Sequence, residues 1–373
     1  MLKENITEFQ NYWMKWVKLH MDDLIRMGYA LSEALQQERG VFALGMGKDH
    51  WFAEELTSRL QGHPEVIGMY PEELMEYDRH FTAISKSRDY GEILLSSWNV
   101  KRNDLILCFN SDLSVMMESL QKKCVRKKID LQNLNVSEEL LQDEATMKYL
   151  PAIEVYCAQA VNAVSFAVEA SLDPVEVLHQ LNGRLNETLE KFASSQQLNF
   201  DKLFADLERK QGRLFVMGSG HSSMLQDYFA SYPCEPVVPI LESELMVYDP
   251  VKSEWTQRQK DYAQMLIDKY EIREEDGLIL PSNSGKSLMN VELARILWSN
   301  RTTVTVITNM LQSPVIKSEH PSGRRLFETA DIVIDNCCVN KDACLMIAEQ
   351  KRCPLSSVIL MLCGIEIHDQ LSR

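Results

Sequence analysis

No window of eighteen consecutive residues is both apolar and uncharged, and the opening MLKENITEFQNYWMKW has no apolar core of signal-peptide length after its lysine. The sequence therefore predicts neither a membrane span nor a secretory leader; the expectation is a soluble, cytoplasmic protein without a membrane partner. Clustered positive charge is scarce too. In 373 residues, 39 Lys and Arg stand against 54 Asp and Glu, a formal charge of −15, and the one dense basic run is KKCVRKK at 122–128. Nucleic-acid binding needs basic side chains gathered on phosphates, so no nucleic-acid partner is expected and the run reads as a solvated helix end. Nine cysteines show no regular spacing. Cys337, Cys338, Cys344 and Cys353 gather late but form no C-x-x-C pair and have no His pair beside them, so no metal site is expected. The thiols should behave as small apolar residues in a reducing compartment.

What is present is ordinary globular material, 45% hydrophobic and 25% charged, long enough for two cores. The chain also repeats itself. GVFALGMGKDHWFAEEL at 40–56 reads like GRLFVMGSGHSSMLQDY at 212–228, which sets Gly45 on Gly218 at an offset of 173; NDLILCFNSD at 103–112 matches DGLILPSNSG at 276–285, with Asn110 on Asn283 at the same offset. Between them EELMEYD at 72–78 resembles SELMVYD at 243–249, at an offset of 171. Two copies of one unit are predicted, 1–148 and 149–373, divided near the acidic stretch NVSEELLQDEA.

Within each copy, short β-branched and apolar runs alternate with longer helical patterns, the signature of parallel strands joined by helical crossovers. In the second copy strands are predicted near 213–217, 237–241, 277–281, 303–307 and 331–335, apolar enough to be covered on both faces. Helical material precedes each copy, at 7–38 and about 147–210, with Asp173 and Pro174 opening one helix. From Asn110 to Pro151 there are 41 positions but from Asn283 to Pro354 there are 71, so the first copy lacks about thirty residues and its sheet should be shorter.

Ligands of doubly wound sheets sit beyond the carboxyl ends of the strands. There the second copy offers GSGHSS at 218–223, SNSGKS at 282–287 and ITNMLQSP at 307–314, loops rich in hydroxyls and glycine that can donate to a dianionic phosphate. Ser-rich turns also cap helices. The first copy offers GMGKDH and FNSDLS, where Met46, Asp49 and Asp112 replace Ser219, Ser222 and Gly285 and add bulk and negative charge. The second copy is thus the expected binder and the first its degenerate partner. A G-x-G-x-x-G nucleotide fingerprint is incomplete because its third glycine is Ser223, and Gly-Lys-Ser at 285–287 lacks P-loop spacing. No cofactor is expected.

GSGHS after the first strand and SNSG after the third resemble the sugar isomerase (SIS) family, and PILESELM, SNSGKS and HPSGRRLFETADIVID in the second copy resemble an uncharacterised bacterial family of single SIS proteins. The resemblance implies two flavodoxin-like, three-layer α-β-α domains with five-stranded parallel sheets, the first copy degenerate. It further implies a sugar-phosphate ligand and a homodimer. The phosphate would be wrapped by Ser282, Asn283, Ser284, Gly285 and Ser287, with Thr308 beside them, and the sugar supported by Ser219, Gly220, His221 and Ser222. In tandem SIS enzymes a glutamate precedes a Ser-Thr pair on the last helix; Ser356 and Ser357 resemble that pair, but the matching position is nearer Lys351. Base candidates for moving a proton between C1 and C2 are Glu242, His320 and Glu349. A structural alternative stands beside two of them, a capping carboxylate for Glu242 and a loop anchor for His320. The function expected is a phosphosugar isomerase or deglycase, the alternative a non-catalytic sugar-phosphate sensor.

Overall fold

The computed structural model describes residues 1–45, 50–60, 63, 65–70, 86–87, 89–110, 115–135, 147–246 and 250–373. The repeat positions Met46, Asp49 and Asp112, the stretch 72–78 and most of NVSEELLQDEA lie outside the described residues. The chain divides into two compact units. One, here the C-terminal unit, gathers Met1–Glu8, Arg184–Cys344 and Pro354–Arg373; the N-terminal unit gathers Phe9–Gly183 and Leu345–Cys353.

The N-terminal unit holds most of α1 (Leu2–Gln36), where Phe9, Trp13, Trp16, Leu24, Met27 and Leu31 recur at helical spacing and are all buried. Then follow β1 (Val41–Leu44), α2 (Trp51–Arg59), β2 (Val66–Met69), α3 (Tyr90–Ser97), β3 (Leu105–Asn110), α4 (Val115–Lys127) and β4 (Asp130–Asn135). The strands pair in parallel in the order β2-β1-β3-β4. Five strands were expected of each sheet; four are present among the described residues here, as the shorter span after Asn110 requires. Phe42, Ile106 and Leu120 anchor the core. The basic run ends α4, with Lys127 Nζ 2.5 Å from Glu92, so it caps a helix in solvent. Helix α5 (Leu150–Glu169) is buried along almost its whole length; within it Glu154 accepts the Phe52 N–H at 3.2 Å and Gln159 meets Glu55. Helix α6 (Pro174–Ser195) opens as expected, with Asp173 Oδ1 accepting the Val175 N–H at 2.9 Å.

The C-terminal unit contains α7 (Gln197–Lys210), β5 (Leu214–Val216), α8 (Met224–Ser231), β6 (Val237–Pro239), α9 (Pro250–Thr256), α10 (Tyr262–Tyr270), β7 (Gly277–Pro281), α11 (Leu288–Ser299), β8 (Thr303–Thr308), β9 (Ile332–Asp335) and α12 (Ser356–Leu371). All five predicted strands are present. They pair in parallel in the order β6-β5-β7-β8-β9, with Leu214 opposite Gly277 and Gly277 opposite Thr303. β5 and β7 are buried at every position, because helices cover both faces of the sheet. Phe215, Leu278, Leu280, Val304 and Val306 meet Leu266, Leu293 and Leu297 in the core.

A short antiparallel hairpin, β10 (Leu345–Ile347) with β11 (Gln350–Arg352), groups with the N-terminal unit. All nine cysteines are free thiols, and burial pushes Cys337 and Cys344 upward, Cys344 to about 12. No described helix is long and apolar enough to cross a membrane.

Candidate functional site

In the C-terminal sheet the chain leaves β5 towards β6 on one side, while β7 lies on the other. With right-handed crossovers, the loops following β5 and β7 diverge and leave a crevice at the carboxyl ends of those two strands. Residues 217–223 and 282–287 line that point.

The loop after β7 is best read by following its carbonyls. The Ser282 oxygen accepts from Thr308 Oγ1 at 2.7 Å and the Asn283 oxygen from the Asn309 N–H at 3.2 Å. The Gly285 oxygen accepts from the Leu326 N–H at 2.8 Å and the Lys286 oxygen from the Glu319 N–H at 2.9 Å. Across a trans peptide the following N–H points opposite to the carbonyl. The amides of Asn283, Ser284, Lys286 and Ser287 are therefore turned away from β8 and the β8–β9 connection, and among the described residues none of them has an acceptor. Gly285 has φ +60, a left-handed value that suits glycine, and its own N–H closes the turn on Ser282 Oγ at 3.3 Å. Ser287 is the N-cap of α11, and its hydroxyl is buried without a partner. Free amides at the positive end of a helix dipole form an anion nest.

The loop after β5 is held differently. Gly218 gives its N–H to Gln226 Oε1, and an added Cβ there would lie 2.1 Å from the Ser222 carbonyl oxygen. Gly220, at φ +57, donates to Ser253 Oγ at 2.9 Å. Ser219 Oγ accepts from Asn290 Nδ2 at 3.4 Å, which ties this loop to the first turn of α11. His221 and Ser222 are partly exposed on the turn.

The base candidates are dispersed. Glu242 Oε1 accepts from Lys269 Nζ at 2.6 Å and from the Tyr270 hydroxyl at 2.9 Å, so its carboxylate faces α10. His320 has both ring nitrogens engaged: Nδ1 accepts the Ser322 N–H at 3.1 Å, which leaves Nε2 to donate to Glu292 at 2.9 Å. Glu292 in turn holds Arg295 at 2.9 Å, and that guanidinium, with His320 and Lys260, keeps its carboxyl down at about 2. Glu349 is exposed in the β10–β11 turn at φ +63 and belongs to the other unit. Thr308 is buried and spends its hydroxyl on the loop carbonyls.

Several residues were not found from sequence. Asn309 and Asn336 each follow a strand end and join the expected Asn283: Asn336 Nδ2 donates to Asn283 Oδ1 at 2.7 Å, and Asn309 Oδ1 accepts the Leu311 and Gln312 amides at 2.9 and 3.0 Å. An asparagine recurring after successive strands was the available signal, since Asn bonds neighbouring backbone in turns. Asp342 accepts the Leu355 and Ser356 amides at 3.3 and 3.0 Å and the Ser356 hydroxyl, capping α12 from thirteen residues upstream. Asp227, on α8 one turn past the first loop, is a buried carboxyl that burial pushes up to about 7. Nothing in the sequence marked it.

The order β6-β5-β7-β8-β9, helices on both faces and glycine-hinged loops at the strand ends define a doubly wound α/β protein. More narrowly, the chain belongs to the SIS domain family, whose model matches residues 6–112 and 180–309. It is 31% identical over 175 residues to a UPF0309 protein of Geobacillus kaustophilus, a match covering 45% of this chain and 70% of the relative. It is 32% identical over 185 residues to one of Thermoanaerobacter pseudethanolicus, covering 46% and 75%. Among solved structures the fold is shared with a putative phosphosugar isomerase from Silicibacter pomeroyi, at TM-score 0.53 and 12% identity over 99% of this chain and 97% of that one. It is shared too with the C-terminal domain of glucosamine-fructose-6-phosphate aminotransferase from Francisella tularensis, at TM-score 0.51 and 6% identity over 97% and 96%.

Proposed function

We propose that the C-terminal unit binds a phosphorylated sugar, with the phosphate on the 282–287 loop and the sugar against Ser219, Gly220, His221 and Ser222. The observation that carries this reading is the set of four amides without acceptors beside the N-cap Ser287. Each aligned N–H offers a charge-assisted bond to a dianion, and the α11 dipole adds to them. Family membership and the sugar-phosphate chemistry named for the Silicibacter pomeroyi protein support the same ligand class. Specificity for the sugar would rest on Asn290, whose Oδ1 is buried without a partner and can accept from a hydroxyl.

An isomerase or deglycase is the second reading. A proton transfer between neighbouring carbons needs a base whose pKa is raised towards the working pH, and burial raises that of Asp227, one turn past the 217–223 loop. A thermal-shift screen of hexose and amino-sugar 6-phosphates, followed by product analysis of the hits, tests both. A ligand at a hundredfold excess over its dissociation constant should add about 2.7 kcal/mol to stability. No stabilisation by any phosphorylated sugar would refute binding; stabilisation without product would leave a sensor.

A further inference from the structure

We infer that His320 is the positioning residue of the anion loop, acting through the connection between β8 and β9. This rests on the reading of 282–287 as a phosphate site, and it assigns His320 a role in holding that site's amides rather than in proton transfer.

The connection around His320 is closed on itself. Ser318 Oγ donates to the Arg324 carbonyl at 2.6 Å, the Gly323 N–H to the His320 carbonyl at 2.9 Å, and the Ser322 N–H to His320 Nδ1 at 3.1 Å. Glu319, beside the histidine, places its N–H on the Lys286 oxygen and its carboxylate 2.6 Å from Lys286 Nζ. At the far end the Leu326 N–H holds the Gly285 oxygen, and Leu326 Cβ lies 3.3 Å from where a Gly285 Cβ would be. These two backbone bonds turn the Gly285 and Lys286 carbonyls outward, and by trans-peptide geometry they aim the Lys286 and Ser287 amides inward.

A strap of this kind sets the amides only if it is fixed relative to them. That fixed point is the His320 Nε2 bond to Glu292, on the same helix whose N-cap is Ser287. The Gly285 oxygen, the Lys286 oxygen and Glu292 then form three attachments between one closed loop and one helix terminus. The acceptor is dependable, because Arg295 keeps Glu292 ionised across the usable pH range. Removing the imidazole would leave every phosphate-contacting atom in place and loosen only their aim.

The test uses the full chain with inorganic phosphate as the probe, measured by calorimetry, and amide hydrogen exchange without ligand. His320→Ala is expected to weaken phosphate binding at least about tenfold, equivalent to about 1.4 kcal/mol, and to speed exchange of the hydrogen-bonded strap amides of Glu319, Ser322, Gly323 and Leu326. His320→Gln, whose amide reaches the Nε2 position and can still donate to Glu292, should bind within about threefold of the parent. His320→Asn, which reaches only the Nδ1 position, should resemble the alanine variant. Should alanine unfold the chain, the Gln and Asn pair carries the comparison. Equal affinity in the parent and His320→Ala, or recovery by Asn and not Gln, would overturn the inference. Failure of the parent to bind phosphate would overturn the phosphate site instead; the exchange rates of the Glu319 and Leu326 amides, which hold the Lys286 and Gly285 oxygens, would still report whether His320 holds the loop.

Discussion

Replacing Glu292 by Gln removes one charge while keeping an oxygen for His320. The carboxyl sits near 2 against a usual 4.5, because Arg295, His320 and Lys260 surround it. That depression would correspond to roughly 3.4 kcal/mol at full effect. The carboxylate side chain is 6% exposed, but those of Arg295 and Lys260 are 44% and 53% exposed, so water and salt screen the pairs. About 1–2 kcal/mol is the working figure. The group's folded value is depressed, so its stabilisation is complete above about pH 4.5 and is lost as pH falls towards 2. The parent should therefore exceed Glu292→Gln by about 1–2 kcal/mol near neutrality, a few degrees in melting temperature for a unit of this size. The gap should close on acidification, which also cancels contributions from other carboxylates because both chains carry them. Thermal melts of both chains from about pH 7 down to about 2.5 measure it. A gap that is absent at neutral pH, or that persists at the acid end, would refute the reasoning.

Gly285→Ala must hold a left-handed φ of +60 and bring a methyl to 2.7 Å from Ser313 Oγ; about 1–2 kcal/mol of stability should go, and phosphate affinity with it, and unchanged melting and titration would contradict the nest geometry. Asp227→Asn should melt higher than the parent above about pH 7 and equal it below about pH 4, since a raised folded pKa stabilises only while the carboxyl is protonated; parallel melting curves over that interval would count against it. Asp342→Ala strips the cap from α12 and should cost about 1–2 kcal/mol by denaturant titration, with Asp342→Asn recovering part; an alanine variant as stable as the parent would show the cap to be idle.

Strand positions in the C-terminal unit were legible from sequence because a strand buried on both faces must be apolar throughout, and GLILP and VTVIT can do little else. The position of the glycine- and hydroxyl-rich 282–287 loop after β7 was legible for a related reason, since such residues after a strand form a turn. The roles of charged residues were not. Glu242 ends near a strand's carboxyl terminus, where a reacting carboxylate could sit, yet Lys269 and Tyr270 arrive from a helix 27 and 28 residues on and take it. His320 and Glu292 are likewise 28 residues apart, and Asp342 caps a helix that begins fourteen residues later.

Periodicity and turn chemistry are local, set by neighbours within a few residues, and so the amino-acid order alone determined the βα alternation, the parallel sheets and the placement of the serine-rich loops. Which oxygen each carbonyl, carboxylate or ring nitrogen meets depends on segments brought together only when the sheet is assembled. That decided the direction of the loop amides, the engagement of His320, and the burial that lifts Asp227.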